Sequence, residues 1–267
     1  MQRTTRQQAA KDLAALRSAA RATTVVPPSY PMLRMTLFAL VNLTAAYTTL
    51  ITIPAMVSSE STSTSNTLPS LSWTIITLFA FQTTAGLVQS HLHLSSQAAA
   101  KGKRRSQSLF SVLNTSIVIG AVGTAICHMF AVLFGAGFVH QAMETSQLAC
   151  YLSLLTFYPA SFILGTDFNG WLRIFVHNSP QTYTEAALYS QGMMAIFGAW
   201  LGSIVIPLDW DRPWQAWPVP CVLGAFLFYS IGAVVGLVVS IVMRQRALRI
   251  EFGIDGDDKK TEKIKDN

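Results

Sequence analysis

The chain has 267 residues, with 19 Lys and Arg against 13 Asp and Glu, a net charge of +6 and only 12% charged residues, about half the share of an average soluble domain. The charges are clustered, with seven in residues 1–34, four in 101–105 and thirteen in 244–267, and nearly charge-free stretches lie between. That placement argues against nucleic acid as a partner, which needs a contiguous basic surface along the phosphates, and Cys127, Cys150 and Cys221, without CxxC spacing, give neither a disulfide framework nor a zinc site.

Residues 1–34 form a basic arm too short to bury a core of its own. Residues 1–24, rich in Arg, Ala and Thr with Asp12 as their one acid, share the composition of a mitochondrial presequence. A cytosolic arm is the better reading, because positive residues beside a first span are needed to set its orientation. No cleavable signal peptide is expected, since the first apolar run starts too late and is too long.

Apolar windows follow at 35–57, 71–94, 109–139, 147–166, 187–206 and 219–243, and none contains Lys, Arg, Asp or Glu. Each has about the length a helix needs to cross a hydrocarbon core of roughly 30 Å. A charge at mid-bilayer costs about 2.5–3.5 kcal/mol on insertion scales, so six windows free of charge predict an all-α polytopic membrane protein with six transmembrane helices. The membrane domain is expected over 35–243 and a charged cytosolic tail over 244–267.

The arm, the 95–108 and 167–186 loops and the tail together hold 18 of the 19 basic residues. This asymmetry predicts that both termini are cytosolic. The alternate loops, 58–70, 140–146 and 207–218, contain only Arg212 among basic residues. The first of them includes a Ser/Thr-rich stretch, 58–67, read as a flexible far-side loop. Asn42-Leu43-Thr44 and Asn114-Thr115-Ser116 fit the glycosylation pattern but lie in or at the edge of spans, so neither is expected to be used. Lys265 and Lys263, third and fifth from the end of a tail assigned to the cytosol, match a dilysine retrieval signal of endoplasmic reticulum membrane proteins.

Chemistry is sparse within the spans. His128 is the one ionisable candidate well inside a window, and a neutral ring bonded across helices accounts for it. His91 and His93 are two residues apart and so on different helix faces, whereas a metal pair prefers four. Asn42, Gln82, Gln89 and Gln191 are expected to hydrogen-bond between helices, at about 0.6–2 kcal/mol each. No phosphate-cradling loop, nucleophile elbow or two-His helix motif is present. The far-side loops carry four acids and one His, too few for metal-dependent phosphotransfer. No catalytic residue, metal site or cofactor is therefore assigned.

Gly198 and Gly202 in the fifth window, and Gly224, Gly232 and Gly236 in the sixth, remove side chains from one helix stripe each. Such stripes admit a second helix to backbone contact, which is either these two spans against each other or a helix of another protein.

The segment between those spans is compositionally unusual. Pro207, Asp209, Trp210, Asp211, Arg212, Pro213, Trp214, Gln215, Trp217 and Pro218 place three of the six tryptophans, two acids and the lone far-side Arg together. Its prolines, with Pro220, forbid a continuous helix and predict a series of turns. Tryptophan at a membrane boundary is an ordinary anchor. Aromatic and Arg residues fixed on a rigid turn are also typical of a binding hot spot, and this loop is the candidate contact site.

The run Gly198-Ala199-Trp200-Leu201-Gly202, followed by Ile206-Pro207-Leu208-Asp209-Trp210-Asp211-Arg212-Pro213-Trp214-Gln215 and Trp217-Pro218, closely resembles the signature of the phosphatidylinositol-glycan class F (PIG-F) family. Leu164-Gly165, Trp171-Leu172-Arg173-Ile174-Phe175 and Glu185 also resemble that family. The resemblance covers about residues 150–243, while the first half agrees in hydropathy and span count. One departure is Ile204-Val205, where the family pattern leads us to expect a further proline.

The resemblance implies a multi-pass endoplasmic reticulum protein of glycosylphosphatidylinositol (GPI) anchor synthesis. Family members are noncatalytic subunits that bind and stabilise ethanolamine phosphate transferases, whose luminal metal-dependent domains move phosphoethanolamine onto mannose of the GPI precursor. The implied partners are the transferase catalytic subunits and membrane lipids, with the precursor glycolipid as a further contact. Two other readings stand beside it: a small lipid scramblase or transporter, and an enzyme using Asp209 and Asp211 as acid and base.

Overall fold

A computed structural model describes Tyr47, residues 67–101 and residues 108–251 apart from 138, 181, 209 and 211. The basic arm, the first apolar window except Tyr47, the 58–66 stretch, and Lys263 and Lys265 lie outside the described residues. Within them, every regular element is helical: α1 (Thr67–Lys101), α2 (Leu109–Leu133), α3 (Ala142–Leu155), α4 (Phe157–Leu164), α5 (Phe168–Trp171), α6 (Tyr183–Ser203) and α7 (Val219–Glu251).

Among the described residues, four stretches are long and apolar enough to cross a membrane: Leu71–His91, Leu109–Leu133, Ala142–Leu164 and Val219–Arg246. They fall on the second, third, fourth and sixth windows. The fifth window falls on α6, which is 21 residues long and carries Thr184, Glu185, Ser190 and Gln191 in its first half.

The helix boundaries differ from the windows for identifiable reasons. The third window reaches 139, but α2 stops at Leu133. Gly135 takes φ +103° there, its N–H bonds Val132 O and that of Ala136 bonds Ala131 O, both at 3.0 Å. This pairing closes a helix through a left-handed glycine and satisfies carbonyls that would otherwise be orphaned. The fourth window begins earlier, at Ala142, and is broken at Thr156 (φ −113°, ψ −72°) before α4 resumes at Phe157. Pro159 lacks the N–H that would continue the ladder to Leu155, so the helix restarts with Pro159 in its first turn. α7 runs past the sixth window to Glu251.

The helices alternate in direction. Gln147 Nε2, near the start of α3, donates to Ser72 Oγ near the start of α1 at 2.7 Å, and Gly236 late in α7 faces Ala187 early in α6. The start of α1, the α2–α3 connection and the α6–α7 connection therefore share one end of the bundle.

The segment formed by α3 and α4 is the core helix. Two thirds of its apolar stretch (67%) is buried, against 22–33% for the other three. Tyr151, Leu155 and Tyr158 are enclosed there, with Leu71 and Leu78 of α1 and Val222, Ala225 and Tyr229 of α7 in the same cluster. The packing holds polar cross-links: Thr83 Oγ1 and Tyr158 OH are 2.8 Å apart, Ser153 Oγ donates to Gly120 O at 2.7 Å, and Gln82 Nε2 donates to Tyr229 OH at 3.5 Å. Gln82 thus bridges helices as expected. Gln191 does not: it is buried with neither amide atom bonded, and Gln89 Nε2 is likewise buried and unbonded.

The most extensive interface joins α6 and α7. A Cβ at Gly198 or Gly224 would strike the carbonyl oxygen of the other residue, and one at Gly202 would strike Pro220 O. At Gly232 it would lie 2.7 Å from Ser190 O, and at Gly236 2.8 Å from Ala187 Cα. All five glycines of the two stripes are therefore spent on bringing α6 and α7 to backbone contact within this chain.

Candidate functional site

The α6–α7 connection begins where α6 tightens into turns. Ile204, Val205 and Ile206 donate their N–H groups to the carbonyls of Leu201, Gly202 and Ser203, an i to i−3 pattern that shortens the last turn of a helix. At Ile204-Val205, where the resemblance led us to expect a further proline, the tight turns form without one. Pro213–Gln215 forms one 3-10 turn, the Trp217–Pro218 bond is cis, and α7 starts at Val219 with Pro220 in its first turn.

Gln215 holds these turns together. Its Nε2 donates to Val205 O at 3.0 Å and to Leu208 O at 2.8 Å, while its Oε1 accepts from the Arg212 N–H at 3.0 Å. The side chain is buried, at 9% exposure. Three backbone groups, three, seven and ten residues before Gln215, are thus satisfied by one amide, which uses both its donors and its acceptor in a fixed geometry.

The three tryptophans divide by direction. Trp217 packs against the core cluster, with its indole Nε1 buried and unbonded. Trp214 is half-buried and tilts against Trp210, ring centroids 5.8 Å apart at 59°. Trp210 is 56% exposed, and Arg212 is exposed with no ion-pair partner among the described residues. Pro207 is exposed and Pro218 buried. Asp209 and Asp211 lie outside the described residues. The result is a prong whose base is anchored by Trp217 and Gln215 and whose outer surface presents Trp210, one edge of Trp214, and Arg212.

At the opposite end of the bundle, the α4–α6 connection is also fixed. Gly165 (φ +54°) turns the chain out of α4, Trp171 Nε1 donates to Gly165 O at 3.0 Å, and a wide π turn follows over Leu172–Val176. The rings of Trp171, Phe157 and Phe175 form a triangle, with Trp171 6.3 Å from Phe157 and 5.4 Å from Phe175 and the two phenylalanines 6.3 Å apart. Arg173 and Glu185 form an ion pair at 2.9 Å, with side-chain exposures of 25% and 9%. Glu185 also closes the start of α6: its N–H donates to Thr182 Oγ1 at 3.2 Å and its Oε2 accepts from the Thr182 N–H at 3.3 Å. We did not single out this Thr-x-x-Glu capping box from the sequence, although its spacing made it legible there. The Gln215 clasp was not legible, because nothing in a single glutamine announces which carbonyls it will meet.

Of the histidines, His128 Nδ1 lies 3.4 Å from Ser146 Oγ of α3, and His91 is exposed on α1. Among the described residues, no group of three or more His, Cys, Asp or Glu comes together as a metal-binding set. Cys127 and Cys221 are buried and Cys150 is half-buried, all three as free thiols.

Comparison with known proteins places these features in context. The model of the GPI biosynthesis protein family Pig-F matches residues 13–240. A human protein described as "GPI ethanolamine phosphate transferase, stabilizing subunit" is 42% identical over 113 residues, which are 42% of this chain and 50% of that protein. The mouse protein of the same description is 35% identical over 170 residues, 64% of this chain and 74% of its own length. A Pyricularia oryzae protein described as "Glycosylphosphatidylinositol anchor biosynthesis protein 11" is 37% identical over 134 residues, 50% of this chain and 48% of that one. The match to the human protein thus spans half of that relative's length. No solved structure matches the chain.

Proposed function

The chain belongs to the GPI biosynthesis protein family Pig-F, and from that membership we propose that it is a noncatalytic, stabilising subunit of GPI ethanolamine phosphate transferase. It resides in the endoplasmic reticulum membrane, crosses it six times with both termini cytosolic, and supports the transfer of phosphoethanolamine to mannose of the GPI precursor. The 207–218 connection then faces the lumen, where the catalytic domain of the transferase works.

The observation that carries the reading is the clasped prong. Binding hot spots are aromatic and Arg residues held in place before the partner arrives, so that little side-chain and loop freedom is lost on association. Trp210 and Arg212 meet that description because Gln215 fixes the turns that carry them. The glycine stripes are filled within the chain, so the membrane helices of the transferase dock on the outer faces of α6 and α7. There Leu227, Ile231, Val234 and Val238 form an exposed apolar ridge at helical spacing. The prong sits at the membrane edge of the luminal domain and contacts the catalytic subunit or the lipid-linked precursor.

The test is affinity purification of the tagged chain in mild detergent with identification of the co-purifying proteins. The wild-type chain is expected to bring down a transferase catalytic subunit. The Trp210→Ala/Arg212→Ala variant is expected to melt at the same temperature and to recover several-fold less of it. Recovery of no transferase with intact wild-type protein would contradict the proposal, as would full recovery with the double variant.

A further inference from the structure

Gln191, near the middle of α6, is 1% exposed, and neither its Nε2 nor its Oε1 has a hydrogen-bond partner. An amide enclosed among apolar groups is strongly disfavoured in that state, because it has given up its bonds to water and gained none in return. Gln82, which is buried to the same degree, bonds Tyr229 OH instead.

Beside Gln191 the packing leaves room. At the five glycines of the α6 and α7 stripes an added Cβ would lie no farther than 2.8 Å from the facing helix. Gly192 differs. It is buried, yet a Cβ there would meet Thr156 at 3.6 Å, and nothing outside its own turn any nearer. That is an ordinary van der Waals distance, so a group the size of a methyl, or a water molecule, fits between α6 and the core segment.

Thr156 is the break between α3 and α4. Pro159 has no N–H, so Leu155 O lacks the donor that a continuous helix would supply four residues on, and Leu155 is itself 1% exposed. Thr156 Oγ1 donates its proton to Leu152 O at 2.8 Å and keeps its lone pairs. The polar groups around this space are thus the N–H donors of Gln191 and three acceptors, Gln191 Oε1, Leu155 O and Thr156 Oγ1.

That mixture selects the occupant. A cation would be repelled by the amide N–H groups and an anion by the carbonyls. A side chain of another protein is shut out, since α7 closes over Gln191 so tightly that a Cβ at Gly232 would lie 2.8 Å from its Cα. Water both donates and accepts, and buried water typically makes about three hydrogen bonds to polar groups that nothing else satisfies.

We propose that an ordered internal water occupies the space beside Gly192, accepting from Gln191 Nε2 and donating to Leu155 O. It ties α6 to the break in the core segment and so braces the helix that leads into the 207–218 connection. The site shares no residue with the prong, and it stands or falls apart from transferase binding.

The full chain is purified in mild detergent, and Gly192→Ala is placed in two backgrounds, wild type and Gln191→Met, which keeps the side-chain shape and removes the amide. By packing alone the new methyl group fits, and alanine favours a helix over glycine. In the Gln191→Met background Gly192→Ala is therefore expected to raise the melting temperature by a few degrees. In the wild-type background the methyl group displaces the water and strands the amide, so a fall of a few degrees is expected. A change of the same sign in both backgrounds would overturn the proposal. A density map of the wild-type chain in lipid nanodiscs, at a resolution that shows ordered water, gives a second reading that depends on no variant. Water is expected at about 3 Å from both Gln191 Nε2 and Leu155 O. Density with no water there, whether because Gln191 bonds a protein group or because the space is closed, would contradict the proposal.

Discussion

The α6–α7 pair and the α2–α3 pair both carry small residues at helical spacing, yet one is closed and the other open. In α6–α7 a glycine row on each helix meets the backbone of the other, and Gly198 and Gly224 face each other directly. In α2 the glycines are covered differently: a Cβ at Gly120 would meet the Tyr158 ring, and one at Gly123 would meet Phe157 and Ser153 of the core segment. The adjoining face with Ala121 and Ala125 has no helix opposite it among the described residues and forms a groove. Small residues make room; what fills the room depends on what the chain supplies across from it.

Substitutions at the two places should behave in opposite ways. Gly224→Leu should have the largest effect, because the new side chain meets backbone that cannot rotate aside. A loss of about 3 kcal/mol is expected from overpacking of this kind, read as a lower melting temperature in mild detergent. Ala121→Leu, the same enlargement over the open groove, should change stability by less than about 0.5 kcal/mol, as surface substitutions do. If the two variants melt alike, the contrast between closed and open pairs fails.

Glu185→Ala comes next. It removes the capping box of α6 and leaves Arg173 half-buried without its 2.9 Å partner, and a cost of about 1–3 kcal/mol is expected. Because this ion pair lies at the end of the bundle away from the prong, transferase recovery per folded molecule should not change. Gln82→Leu should cost about 1 kcal/mol, the usual size of a side-chain hydrogen bond between membrane helices. Gln215→Leu is expected to leave helix packing intact and to loosen the connection, seen as faster proteolysis between 204 and 218 with little change in melting temperature.

Much of the described fold was legible because the bilayer imposes a simple demand. Charge-free windows of sufficient length located α1, α2, α3–α4, α6 and α7, and the prolines at 207, 213, 218 and 220 marked where a helix could not continue. The glycine rows were equally visible, but their occupant was not, because spacing says only that another backbone can approach. The break at Thr156 was hidden inside one apolar window. Its cause, Pro159 two residues into the new helix, looks from sequence like a tolerated proline within a span. The Arg173–Glu185 pair joins residues twelve apart across a π turn, and periodicity cannot foresee that turn. The sequence placed the prong residues in one loop, but the division of its tryptophans into an inward anchor and an outward surface required the Gln215 bonds.

The central claim is that this chain stabilises a transferase without performing the reaction itself. The most direct measurement is the half-life of the transferase catalytic subunit, together with the ethanolamine phosphate content of GPI precursors, in cells lacking the chain. The account predicts that both fall and that both are restored by the wild-type chain but only weakly by Trp210→Ala/Arg212→Ala. Unchanged catalytic-subunit half-life, with ethanolamine phosphate still added normally, would contradict it.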